Sequence, residues 1–165
     1  MTDEQYQNYL SKASRLCARN EKCEQDIRKK LNQWGVENEE VRNIIHELKD
    51  SGFIDHQRYA SAFVRDKVRF NHWGRNKIAH ALRAKNIEEP VISEALEQIS
   101  PQQYEKALLE EMEKKNRTIK SSDQRERRNK LIQFLLQKGF EYGKVFELVD
   151  EKMEGLNKED HGWDK

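Results

Sequence analysis

Apolar residues recur along this chain at intervals of three and four, the spacing of helices with one buried face. Leu10, Ala13, Leu16 and Cys17 predict a first helix from Asp3 to Arg19. Asn20 reads as the cap of the next one, with Glu21 and Glu24 in its first turn. That second helix reaches Trp34 and buries Ile27, Leu31 and Trp34. Gly35 follows where a left-handed C-terminal cap is expected. A third helix, Asn38–Ser51, carries Val41, Ile44, Ile45 and Leu48 and ends at Gly52. The plan then repeats: helix His56–Phe70, loop Asn71-His72-Trp73-Gly74, helix Arg75–Lys85, Asn86, and a short helix Glu89–Ile99. Ser100-Pro101-Gln102-Gln103 is a start signal, with serine as cap and proline at the first helical position. Helices Pro101–Asn116, Gln124–Lys138 and Tyr142–Met153 complete the series. Residues 117–123 are expected to be a flexible loop, and the polar tail from Glu154 a frayed end.

The helices come in threes. Ile27, Leu31, Gly35 and Val36 recur as Ile78, Leu82, Asn86 and Ile87, and again as Leu131, Leu135, Gly139 and Phe140. Val41, Ile44 and Ile45 recur as Ile92, Ala95 and Leu96, then as Val145, Leu148 and Val149. The cap position reads Gly, Asn, Gly, the residue types that tolerate positive φ. A lone helical hairpin would not enforce such a register. The expected fold is all-α, an elongated tandem array of three three-helix repeats at 1–54, 55–100 and 101–153, followed by a polar tail at 154–165.

Composition agrees with helix: 7 Gly and 2 Pro in 165 residues are too few for a turn-rich β protein. No apolar run approaches the roughly 18–20 residues needed to cross a bilayer. The acidic, polar N-terminus is unlike a secretory signal. Cys17 and Cys23, the two cysteines, read as reduced thiols of a cytoplasmic protein.

Charge changes the picture more. The chain carries +1 overall, yet the window His56–Asn86 holds eight Lys/Arg against Asp66 alone, a net +7 that leaves −6 elsewhere. A basic centre between acidic flanks points to a polyanion or an acidic protein surface as partner. On the helix from His56 to Phe70, Arg58, Arg65 and Arg69 share one face, opposite Tyr59, Ala60, Phe63, Val64 and Phe70. Lys67 falls within the apolar face, where its stem would follow the core edge. Asp55 sits at the N-cap. The next helix adds Arg75, Lys77, His80, Arg83 and Lys85. Trp73, between the two helices, has two readings: a platform for a nucleic-acid base, or a plug at the helix junction. The plug is preferred. The candidate binding set is therefore Arg58, Arg65, Lys67, Arg69, Trp73, Arg75, Lys77, Arg83 and Lys85. A second basic group, Lys120, Arg125, Arg127, Arg128 and Lys130, is interrupted by Asp123 and Glu126 and reads as an ordinary helix start. Glu37, Glu39 and Glu40 suit a helix N-terminus.

No Gly-rich phosphate loop, HExxH or nucleophile elbow occurs, and the five histidines lack usual metal spacings. Neither an enzyme nor a cofactor is expected.

Three stretches, ARNEKCEQDIRKKL (Ala18–Leu31), GFIDHQRYASAFVRDK (Gly52–Lys67) and WGRNKIAHALRAKNI (Trp73–Ile87), resemble the RecX family, regulators of the RecA recombinase. The likeness covers Leu10 to Leu96; the third repeat matches mainly in its apolar pattern. One departure is visible: the family usually has two adjacent acids after Gly-Phe-Ile, whereas here Asp55 precedes His56. The resemblance implies tandem three-helix repeats and a non-catalytic modulator. It implies binding to the RecA filament on single-stranded DNA, in or along its groove, and inhibition of filament extension, ATP hydrolysis and strand exchange. The residues themselves lead us to expect no metal and no membrane span, and a monomeric state is expected as well. Two other readings remain: a helix-turn-helix protein using Arg75–Lys85 as recognition helix, and a helical scaffold that meets only proteins.

Overall fold

The computed structural model describes residues 1–161, with side chains through Gly155. Among these residues there are nine helices and no strand. They are α1 (Asp3–Arg19), α2 (Glu24–Gln33), α3 (Asn38–Asp50), α4 (His56–Asn71), α5 (Arg75–Ala84), α6 (Glu89–Glu97), α7 (Pro101–Thr118), α8 (Gln124–Gln137) and α9 (Tyr142–His161). The expected all-α tandem arrangement is thus observed.

Local signals explain most of the boundaries. Asp55 accepts from the Arg58 amide at 3.0 Å, capping α4. Ser100 accepts from the Gln103 amide at the start of α7. Gly35, Gly52 and Gly139 have φ of 82°, 78° and 95°, and Asn86 has φ 58°, so the helix-ending residues adopt the expected positive φ.

Four expectations need correction. Asn20 is the C-cap of α1, not the cap of α2; Cys23 takes that place because Asp26 reaches back to its amide. Phe70 is 70% exposed, because α4 ends at Asn71 and Val68, not Phe70, completes its buried face. Residues 119–123 are tied down: the Arg127 guanidinium donates to the carbonyls of Asn116, Ile119 and Ser121 and to the Asn116 side chain, all within 2.9 Å. The tail does not fray at Glu154, since α9 continues to His161; the rest lies outside the described residues.

By contacts, the chain divides into two compact units. The first comprises Met1–Val64 and Ala81–Gln98. Its core is built where α1, α2 and α3 pack, from Ala13, Ile27, Leu31, Val41, Ile44 and Leu48, flanked by the stacked rings of Tyr9 and Trp34. Cys17 and Cys23 are free, buried thiols. Burial pushes the Cys17 thiol up to about 11, so it is protonated and inert at neutral pH.

Among the described residues, the second unit comprises Arg65–His80 and the chain from Ile99 to His161. Here α8 packs on both α7 and α9. Tyr104, Met112, Leu131, Leu135, Phe140, Val145 and Val149 are buried, with the Tyr104 and Phe140 rings 5.5 Å apart. Among the described residues no helix is long and apolar enough to cross a membrane, and no group of three His, Cys, Asp or Glu is placed to hold a metal ion.

Candidate functional site

The nine candidate residues fall into different units with different electrostatic fates. Arg58, Arg83 and Lys85 belong to the first unit. Each meets a carboxylate there. Arg58 Nε donates to Glu21 at 2.6 Å, and its Nη2 donates to the Gly52 carbonyl at 2.9 Å, where α3 has just ended. Arg83 makes a two-pronged pair with Glu89. Lys85 Nζ donates to Asp26 at 2.7 Å. Burial alone would push the Asp26 carboxyl up, but the bonds from Lys85 and Cys23 more than offset it, and Asp26 lies below its ordinary value.

His56, which follows the Asp55 cap, also acts within this unit. Its Nε2 lies 3.2 Å from the Glu24 amide at the start of α2. A backbone N–H can only donate, so Nε2 accepts and the ring proton sits on Nδ1, which donates to Glu88 at 2.9 Å. His56 therefore completes the N-terminal cap of α2 from a distant helix.

Arg65, Lys67, Arg69, Trp73, Arg75 and Lys77 belong to the second unit. Arg75 is committed. Its guanidinium lies 4.1 Å over the Tyr104 ring and donates to Glu141 at 3.1 Å, while its amide donates to the Tyr104 hydroxyl at 3.0 Å. Tyr104 in turn donates to Glu141, closing a partly buried triangle.

The others differ. Among the described residues, neither Arg65 nor Arg69 forms an ion pair; both are exposed, and the Arg69 guanidinium lies 5.3 Å from the Phe70 ring centre. Lys67 and Lys77 place their ammonium groups 4.6 and 4.5 Å from the Trp73 ring centre. The half-buried Trp73 is thus a hub for two cations, which explains why Lys67 tolerates a place on the apolar face.

The loop that carries Trp73 is held from α8. Gly74 N–H donates to the Lys138 carbonyl at 2.8 Å, and Asn76 N–H to the Gly139 carbonyl at 2.9 Å. Lys138 Nζ donates to the Asn71 carbonyl at 2.8 Å. His72, at φ 52°, reaches Glu111 at 2.9 Å and Glu110 at 3.4 Å. Burial, and then the nearby Lys77 and Lys114 ammonium groups, hold Lys138 below the usual lysine range, with Glu111 opposing. Charge counting missed Lys114 and Lys138 because they lie far from the basic window in sequence.

Three members of the second basic group have partners, and that of Lys130 is exposed. Arg127 organises its loop, Arg128 pairs with Asp150 at 2.8 Å, and Lys130 with Glu126 at 3.1 Å.

Residues 55–96 match the model of the second three-helix domain of RecX, and residues 102–149 that of the third. A regulatory protein RecX from Clostridium botulinum (strain Alaska E43 / Type E3) is 38% identical over 137 residues, covering 82% of this chain and 64% of the relative. One from Clostridium perfringens (strain 13 / Type A) is 31% identical over 132 residues, covering 79% of this chain and 61% of the relative. The chain thus spans a little under two thirds of the length of these relatives. The crystal structure of a regulatory protein RecX superposes with a TM-score of 0.81 at 28% identity, covering 89% of this chain and 73% of the other. That of RecX from Lactobacillus salivarius gives 0.78 at 20% identity, covering 93% and 99%, and speaks to the fold. With two consecutive domain models matched, sequence likeness along most of its length and the same fold, the chain belongs to the RecX family of regulatory proteins.

Proposed function

We propose that this protein is a non-catalytic, cytoplasmic regulator of the RecA recombinase. It binds the RecA filament on single-stranded DNA as a monomer and limits filament extension, ATP hydrolysis and strand exchange. The family supports the regulatory role. The charge distribution supports the means, and the single observation carrying it is a contrast between cations. Arg58, Arg83 and Lys85 hold carboxylates, whereas Arg65 and Arg69 have none among the described residues and Lys67 and Lys77 gather on Trp73. Arg65, Lys67, Arg69, Lys77 and Trp73 would meet phosphates or acidic groups of the filament; Arg58, Arg75, Arg83 and Lys85 would hold the repeats in shape. We take those repeats as 1–54, 55–100 and 101–153, each a helix triplet.

The helix-turn-helix reading is disfavoured by the first turn of α5. Its amides already donate to the Tyr104 hydroxyl and the Gly139 carbonyl, which leaves little of that turn to enter a groove. Co-sedimentation with RecA–single-stranded DNA filaments tests the proposal. The protein is expected in the pellet at low salt and released as salt rises. Recovery in the supernatant at all salt concentrations would refute it.

A further inference from the structure

A second cationic feature in the same unit is not among the nine residues. The helices α7 and α8 enclose an open groove of about 530 Å³, lined by Lys115, Lys120, Lys130, Gln133, Phe134 and Gln137 among others. No carboxylate lines it. Its cations come from three places: Lys115 from the last turns of α7, Lys120 from the following loop, and Lys130 from α8. The loop is not slack, because Arg127 fixes the carbonyls on both sides of Lys120 at 2.9 and 2.8 Å. Among the described residues, Lys115 and Lys120 form no ion pair; the Lys115 ammonium instead lies 5.2 Å from the Phe134 ring centre. Lys130 has one exposed partner, Glu126, that a stronger anion can replace. An aromatic ring flanked by a lysine is the arrangement already seen at Trp73.

We propose that the α7–α8 groove binds the sugar–phosphate strand of a single-stranded nucleic acid, with Phe134 offering an apolar surface to a base. Three lysines on separate segments suit a strand of regularly spaced phosphates. The glutamine amides can donate to phosphate and sugar oxygens, and the aromatic ring adds stacking that an acidic polypeptide would not use. This rests on the reading of the protein as a filament regulator, and it names DNA as a direct ligand of the third repeat.

The test is fluorescence anisotropy of a labelled oligo(dT) with the full chain and no recombinase present. Replacing Lys115, Lys120 and Lys130 together by Gln should weaken binding at low salt by about tenfold or more, and make the salt dependence shallower by about 2 on a log–log plot. Phe134→Ala should weaken binding several-fold, and Phe134→Trp should restore it. Circular dichroism melting accompanies each variant. Should the triple variant fail to fold, Lys120→Gln, a loop position, must still reduce the salt slope by about 0.7. Unchanged oligonucleotide affinity in folded variants overturns the proposal. So does competition by polyglutamate as effective as by oligo(dT) with no effect of Phe134→Ala, the mark of a site for acidic polypeptide. A separate measurement of RecA ATPase keeps the two ideas apart. Suppression by the wild-type protein with normal oligonucleotide binding by the variants removes the groove alone. Loss of oligonucleotide binding with no effect of wild-type protein on the ATPase removes the regulatory reading alone.

Discussion

Gly74 and Gly139 meet backbone to backbone: a Cβ on Gly74 would overlap the Gly139 carbonyl carbon and the Phe140 amide nitrogen, and a Cβ on Gly139 would overlap Lys77. The Gly74 amide also donates to the neighbouring Lys138 carbonyl at 2.8 Å. The contact locks the turn carrying Trp73 onto the end of α8 and so fixes where the Lys77 side chain leaves the backbone.

Either glycine should therefore be intolerant of a side chain. Gly74→Ala and Gly139→Ala are each expected to cost about 2–4 kcal/mol, the latter compounded by its φ of 95°. Gly143→Ala, where a Cβ meets nothing within 4 Å near the start of α9, should be neutral or slightly stabilising. Urea denaturation of the three variants checks the contrast; equal losses would contradict it.

His56 should behave as a structural cap. His56→Ala leaves the Glu24 amide without its acceptor and is expected to cost about 1–2 kcal/mol. Nitrogen-15 NMR should find the Nδ1–H tautomer. An Nε2–H ring would contradict the assignment.

Arg58 offers the opposite of what its place in the arginine row suggests. It joins Glu21 to the carbonyl at the end of α3, so Arg58→Ala should lower stability. Being half exposed, the ion pair is screened, and the loss should stay near 1 kcal/mol. Filament binding by the folded fraction should be unchanged. Arg65→Glu with Arg69→Glu should do the reverse, leaving stability intact and weakening binding. Thermal melts paired with co-sedimentation separate the two.

The pH dependence follows from the carboxylates. Asp26 and Glu24 both lie below their ordinary values, because lysine and other donors outweigh the effect of burial. A carboxyl depressed in the folded state binds its proton less readily than in the unfolded chain. Its contribution is fully present above the ordinary carboxylate values of 3.8 and 4.5 and is lost as pH falls through the lower folded-state values. Stability should therefore be steady above about pH 5 and fall on acidification. Asp26→Asn should be less stable at pH 7 but lose less between pH 5 and pH 3, in urea titrations at each pH. An equally steep acid limb would count against the Lys85–Asp26 pair as a source of stability.

Helix identity was readable from the chain because the apolar spacing, the caps and the Gly/Asn helix stops all agree. Recurrence of Ile27, Ile78 and Leu131 at matching places exposed the repeat, and all three are buried. The start of α2 was misread because Asn20 is a good cap for either helix end, and the decision lay with Asp26 reaching back to Cys23. The binding set was legible only in part. Counting charges in a window finds cations but not their partners. Glu21 lies 37 residues from Arg58, Asp26 59 from Lys85 and Glu141 66 from Arg75. Likewise, nothing local marks Gly74 as touching Gly139. Pairing over such distances is set by how the helices pack.

The steady-state ATPase of RecA on single-stranded DNA bears most directly on the proposed role. Stoichiometric wild-type protein should suppress it. Arg83→Gln, which alters a cation already held by Glu89, should suppress it equally. The Arg65→Glu, Arg69→Glu double variant should lose most of that effect. An ATPase untouched by the wild-type protein, or suppressed equally by the double variant, would contradict docking through the second unit's open cations.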